Sequence, residues 1–353
     1  MSRELPGPNL ASIAEAAGVS VPTVSKVVNG RGGVSDETRE RIQSLIAEAG
    51  YRSPRTRRLR TGNRTMVDLV IGEVRNGYSV GVLNGILEHA RAVDADVVIS
   101  SVNPGSMHLT DADEWAERMV DSGRQGLIAV TSDLSSSQHD AFTSRGLPVV
   151  VIDPLNTPPA DLPSVGSTNW AGGRAATEHL LRLGHRRIAF LGGPANAECN
   201  QARMHGYLAA LMAAGIPMRA DYLYDGPGFA PAGGLANARA VLDLDDPPTA
   251  IFAASDTIAL GVLDEARRRG LEVPRDLSIV GFDGTPLAEQ TLPQLTSVAQ
   301  PLHDIGRTAL RTLLQLIAGG SADVPRMELA TELVVRDSTA APRVQSRPRA
   351  SSK

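Results

Sequence analysis

Several things are scarce in this chain of 353 residues. It has one cysteine, Cys199, so no intramolecular disulfide can form and a reducing compartment suits it. Aromatics are 3% of the chain, which makes each ring in a loop worth noting. No apolar run approaches the roughly 18 residues of a membrane span. The opening MSRELPGPNLAS has no apolar stretch like that of a secretory signal. A cytoplasmic location and no membrane partner are expected. No P-loop or G-x-G-x-x-G occurs, and Cys199 with His205 makes no metal-binding set, so neither cofactor nor metal is expected.

What is present is unevenly charged. Residues 1–64 are net +5 and residues 338–353 net +4, which leaves a body of −13 in a chain of net −4. Six arginines and no acid fall within 52–64. A basic head on an acidic body suggests a polyanion-binding module joined to something that need not touch the polyanion.

Three patterns follow one another. Residues 9–50 read as three short helices: Asn9 and Ser20 can cap the first two, which Gly18 and Asn29-Gly30 stop, and Ser35 starts the third. Residues 51–65 read as a linker. From 66 onward short β-branched runs alternate with helical stretches. Strands are expected at 66–71, 96–100, 126–130, 148–152, 187–191, 249–253 and 277–281, with helices near 79–93, 111–122, 136–145, 170–183, 201–214, 232–242, 257–269 and 302–318. This alternation means right-handed βαβ units on parallel sheets. The units exceed one sheet, and the Pro-rich 154–163 reads as the crossover between two subdomains.

The fold class is thus an all-α helix-turn-helix headpiece (1–50), a linker (51–65) and an α/β core (66–337) of two parallel-sheet subdomains. The first subdomain is placed at about 66–158 plus 285–318, the second at about 159–284 plus 319–337. The basic tail, 338–353, is expected to be disordered.

Two helices around Gly18-Val19-Ser20 have helix-turn-helix spacing. The second would enter the major groove N-terminus first, with Val21, Pro22 and Lys26 toward bases and Ser20, Thr23 and Ser25 toward phosphates. Asn29, at its end, joins this DNA-facing set.

The segment ASIAEAAGVSVPTVSKVVNGRGGVSDETRERIQSLIAEAGYR resembles the headpiece of the lac-repressor (LacI/GalR) family of bacterial transcription regulators. The resemblance continues through SVGSTNWAGGRAATEHLLRLGHRRIAFLGGP, ARMHGYLAAL and IFAASDTIALG…VPRDLSIVGFDGTPLAEQTLPQLTSVAQPL, covering residues 9–337. It implies a headpiece, a hinge (51–65) and a periplasmic-binding-protein-like core, and homodimers on palindromic double-stranded operators, with a small molecule in the core that changes DNA affinity, most often by release. It also implies base contacts from positions 21, 22 and 26. Here Val21 can pack on a thymine methyl and Lys26 can donate to guanine, without the fork of the arginine often found there. The linker RSPRTRRLRTG resembles the family's hinge helix, with Leu59 as the minor-groove wedge and Arg57 and Arg58 beside it. It is one residue short of the usual pattern, and Arg55 and Arg57 replace small residues.

In open α/β sheets ligands sit beyond the C-terminal strand ends. That rule picks out Tyr78, Asp153, Asn169, Trp170, Arg203, Ser255 and Asp283. The resemblance matches Arg203 and Asp283 to effector contacts; a guanidinium and a carboxylate can share vicinal hydroxyls, which suits a carbohydrate. Ser255 stands where the family often has Asn. Tyr78 and Trp170 can serve as ring walls for a sugar. The STNW segment resembles actinobacterial members linked to plant-polysaccharide sugars. A non-sugar effector or corepressor remains the alternative. A remote one is a serine hydrolase, since Gly77-Tyr78-Ser79-Val80-Gly81 fits G-x-S-x-G.

Overall fold

The computed structural model describes residues 10–28, 33–48, 64–72, 74, 76–100, 111–322 and 324–343. The chain divides into two compact units, Met1–Arg64 and Thr65–Lys353.

In the first unit, α1 (Leu10–Ala17), α2 (Val21–Val28) and α3 (Asp36–Glu48) form a headpiece. Its core is six buried side chains, Ile13, Ala14, Ala17, Val24, Val27 and Ile42, with Val19 packed against them. Gly18 turns the chain in the left-handed region, φ +66, where a Cβ would be strained. Ser20 then caps α2: its carbonyl accepts from the Thr23 N–H at 2.9 Å, and its hydroxyl meets Thr23 Oγ1 at 2.8 Å. Ser35 repeats the device for α3, donating to Thr38 Oγ1 at 2.8 Å. Each serine hydroxyl also accepts from the N–H three residues on at 3.4 Å, a donor that a helix start leaves unpaired.

The second unit holds two six-stranded sheets. The first has the order β11-β5-β4-β3-β1-β2, with β1 (Thr65–Val70), β2 (Ala95–Ser100), β3 (Leu127–Val130), β4 (Val149–Ile152), β5 (Ser164–Ser167) and β11 (Arg326–Leu329) all parallel. The second has the order β12-β10-β9-β8-β6-β7: β6 (Ile188–Leu191), β7 (Leu223–Tyr224), β8 (Ala250–Ala253), β9 (Ser278–Asp283) and β10 (Thr296–Ala299), with β12 (Glu332–Val334) antiparallel at the edge. Helices α4 (Gly77–Ala92), α5 (Ala112–Asp121), α6 (Ser136–Ser144) and α12 (Leu302–Ile317) serve the first lobe. Helices α7 (Asn169–Arg182), α8 (Glu198–Ala213), α9 (Pro231–Leu242), α10 (Asp256–Arg268) and the short α11 (Pro286–Gln290) serve the second. Three helix pairs cross on paired glycines, Gly85 with Gly306, Gly173 with Gly206 and Gly234 with Gly261, where an added Cβ would strike the opposing backbone.

The lobe boundaries differ from those expected. Residues 154–163 are not a crossover, because β5 pairs with β4 in the first sheet through Val151 and Ser164. The chain crosses instead after Ser167, returns at Gln300–Pro301 and crosses again after Leu329. The first lobe is therefore 65–167 plus 302–329, and 285–299 belong to the second. The sequences SVGS and RMEL lack the β-branched run that marked the other strands. The tail also differs over 338–343, which is built into the second lobe. Ser338 is fully buried; its hydroxyl donates to Ile279 O at 2.6 Å and accepts from Thr296 N–H at 2.8 Å. His185 Nε2 meets Ala340 O at 2.8 Å. Among the described residues no helix is long and apolar enough to cross a membrane.

Candidate functional site

The headpiece presents one face of α2. Val24 and Val27 point into the core, and the helical period puts Val21, Pro22 and Lys26 on the other side, all exposed. Val21, 42% exposed, is an apolar side chain left out of so small a core. Ser20 is exposed, and Thr23 and Ser25 are half-buried at the flanks. Asn29, Arg57, Arg58 and Leu59 lie outside the described residues.

In the core, strand ends and helix starts of the second lobe converge on one guanidinium, and the first lobe reaches this centre through Ser167 and Asp153. Arg203, on α8, is 3% exposed. Its Nε donates to Asn169 Oδ1 at 2.8 Å, and its Nη1 donates to Ala254 O at 2.6 Å. Nη1 also lies 3.6 Å from Asp283 Oδ1, and the guanidinium stacks 3.8 Å from the Phe282 ring centroid. Gln300 donates to Asp283 Oδ1 at 2.7 Å and accepts from the Ser167 hydroxyl at 2.6 Å. Tyr78 OH donates to Asp153 Oδ2 at 2.6 Å. Asp153 and Asp283 sit at φ 43 and φ 107, and Thr131 at φ 48. Such strain at strand ends persists only where surrounding structure enforces it and is frequent at ligand sites.

Burial sets the electrostatics. It pushes the Asp283 carboxyl up to about 8, against the pull of Arg203. Asp153 is raised by the same desolvation, opposed by the Tyr78 hydroxyl and Arg203. The Tyr78 phenol is raised by burial and by Asp153. Groups held this way gain from a ligand that supplies hydroxyls, which can donate to a carboxylate and accept from a carboxyl.

The structure thus joins Tyr78 to Asp153, and Asn169 and Asp283 to Arg203. It does not join Trp170 or Ser255 to them. Trp170 is 44% exposed, with the Arg174 guanidinium 5.8 Å over its ring; one residue along a helix is a turn of about 100°, so Asn169 faces in and Trp170 does not. Ser255 is the α10 cap, accepting from Ile258 N–H at 3.1 Å. Its neighbour Asp256 braces a loop, accepting from Thr285 N–H at 2.7 Å and from the Ser297 hydroxyl at 2.6 Å. Ser79, the serine of the G-x-S-x-G match, is buried in the first turn of α4 with its N–H on Asn76 Oδ1 at 2.7 Å. His303 is paired with Glu88.

Gln300 and Ser167 escaped sequence reasoning. The signal for them was topological: both lie where the chain passes between lobes. A cavity of about 150 Å³ adjoins the polar centre through Asp153 and Asn169 and is also lined by Cys199, whose thiol burial pushes up to about 11.

Residues 9–53 match the model of bacterial regulatory proteins of the lacI family, and residues 177–339 match a periplasmic binding protein-like domain. The catabolite control protein A of Priestia megaterium is 31% identical over 332 residues, covering 93% of this chain and 98% of that protein. Among solved structures, a transcriptional regulator CelR–cellobiose complex is 31% identical with TM-score 0.70, covering 94% of this chain and 99% of that one. The lac repressor dimer bound to operator is 27% identical with TM-score 0.68, covering 95% and 100%. The chain belongs to the LacI family of bacterial regulatory proteins, DNA-binding transcription regulators and not enzymes.

Proposed function

We propose that the chain is a cytoplasmic repressor that binds a palindromic operator as a homodimer and is released from it by a small, neutral sugar. The observation that carries this reading is the buried Arg203–Asp283 centre. It offers a guanidinium fork, carboxylates and an amide, spaced for vicinal hydroxyls, with Phe282 beside them. The cellobiose bound to the CelR relative and the operator bound to the lac repressor support it.

In this reading Lys26 donates to guanine O6/N7, Val21 packs on a thymine methyl and Pro22 lies against the base edges. Ser20, Thr23, Ser25 and Asn29 meet phosphates. Leu59 wedges the minor groove, flanked by Arg57 and Arg58. Tyr78, Asp153, Asn169, Arg203 and Asp283 hold the sugar. A groove on the second lobe, lined by Leu235, Leu260, Leu263, Leu287 and the 86% exposed Leu292, supports self-association. Release by a hundredfold needs the sugar to favour the low-affinity state by about 2.7 kcal/mol.

A gel shift on a selected operator tests the reading. Lys26→Ala is expected to cost about 1–3 kcal/mol on operator and far less on random DNA. Equal losses on both would reduce Lys26 to a phosphate contact. Complexes that survive saturating sugar would rule out release as the mode of control.

A further inference from the structure

The cavity beside the polar centre has a composition of its own. Its floor is Asp153, Asn169 and Cys199, at 5%, 8% and 7% exposure. Its rim is Arg326 and Glu328 on β11 of the first lobe, both exposed, and the half-buried Glu198 at the start of α8 in the second. Pro154, Pro158 and Met327 give it apolar walls. The Arg326 guanidinium is tied down by donating to Pro158 O at 2.8 Å. The three rim charges feel one another: burial raises the Glu198 carboxyl, Arg326 lowers it and Glu328 raises it again.

At about 150 Å³ the space is smaller than the roughly 300–1,000 Å³ of a whole ligand pocket. It shares Asp153 and Asn169 with the polar centre, so it is suited to one end of a ligand whose other end lies on Arg203. Apolar walls with polar groups at the edges match a pyranose ring, which has C–H faces and hydroxyl edges. Three carboxylates, on Asp153, Glu198 and Glu328, face a single guanidinium, so an anionic end would meet net like charge.

We propose that this cavity, between β5 and β11 of one lobe and the start of α8 of the other, is the subsite for the second ring of an uncharged disaccharide. Arg326, Glu198 and Glu328 are its specificity-determining residues, and it rejects phosphorylated sugars. This inference rests on the sugar-effector reading and names the effector's length and charge.

Titration calorimetry of the full chain with glucose, cellobiose, maltose and cellobiose 6′-phosphate tests it. One neutral disaccharide is expected to bind at least about tenfold more tightly than glucose, as one or two added charge-assisted hydrogen bonds would give. The phosphorylated disaccharide is expected to bind more weakly than its neutral parent. Ala202→Leu, which fills the cavity from α8, and Arg326→Ala should bring the disaccharide down to the affinity of glucose and leave glucose itself unchanged. Equal binding of glucose and both disaccharides, or equal loss of both lengths in the two variants, would overturn the subsite while leaving a sugar effector in place. Equal binding of the phosphate would overturn the charge argument. If none of the sugars produced heat, the sugar reading itself would fall, and this inference with it.

Discussion

The headpiece leaves the side chains proposed to read DNA outside: Val21, Pro22 and Lys26 stand exposed on a helix held by six buried apolar residues. The core does the reverse. Arg203 and Asp283 are 3% and 7% exposed and are already hydrogen-bonded within the protein. The contrast follows from what each part must recognise. A duplex presents its groove edges to whatever protrudes, so reading them needs a projecting helix and little supporting mass. A small ligand must be taken out of water, and buried charges there are tolerable only when paired.

The contrast can be broken first at Arg203. Arg203→Ala leaves Asp283 buried without its cation, and we expect sugar affinity to fall by about 100-fold or more with operator affinity retained, as paired calorimetry and gel shifts would show. Normal induction in this variant would remove Arg203 from the site. The reciprocal experiment is Ile42→Ala, at a side chain with no exposure. Its cavity costs about 2–5 kcal/mol, a large share of what a three-helix unit has. Operator binding should fail while sugar binding in the core persists; loss of both would mean that the two units do not fold independently. A smaller effect is expected at the α2 cap, where Ser20→Ala should lower headpiece stability by about 1 kcal/mol, read as a lower melting point of the headpiece transition with the core transition unmoved.

The smallest effect concerns pH. Because burial raises Asp283 from 3.8 to about 8, the folded core holds a proton that the unfolded chain has released. That stability is fully present below the unfolded value and is lost as pH rises toward 8. His185 runs the other way: burial lowers it from 6.5, so stability is lost as pH falls below that value. The two slopes oppose each other where His185 titrates, so the melting temperature of the core should change little just below 6.5 and fall from 6.5 toward 8, and Asp283→Asn should remove that fall. An unchanged alkaline slope in that variant would place the proton elsewhere.

How far the sequence could be read also follows the contrast. The headpiece was legible because everything in it is local: Gly18, the Ser20 cap and the spacing of Val24 and Val27 fall within ten residues. All seven expected core strands appear, since runs such as VVVI and IAFL are buried along their whole length. Strands β5, β7, β10, β11 and β12 were missed because they are short and polar or lie at sheet edges. Missing β5 displaced the lobe boundary and hid Ser167. Asp153, Arg203 and Asp283 were reachable from the rule of strand ends, but Gln300 was not: its partner Ser167 is 133 residues away, and nothing in either segment marks the pairing. Trp170 misled because composition made it conspicuous while helix phase turned it outward.

The most direct measurement is a selection of random-sequence duplex by the full chain at modest ionic strength, followed by titration of the winning sequence with the bound disaccharide. A palindrome should emerge, and its affinity should fall when the sugar is added. No palindromic enrichment, or an affinity indifferent to a sugar that demonstrably binds the core, would contradict a sugar-released repressor.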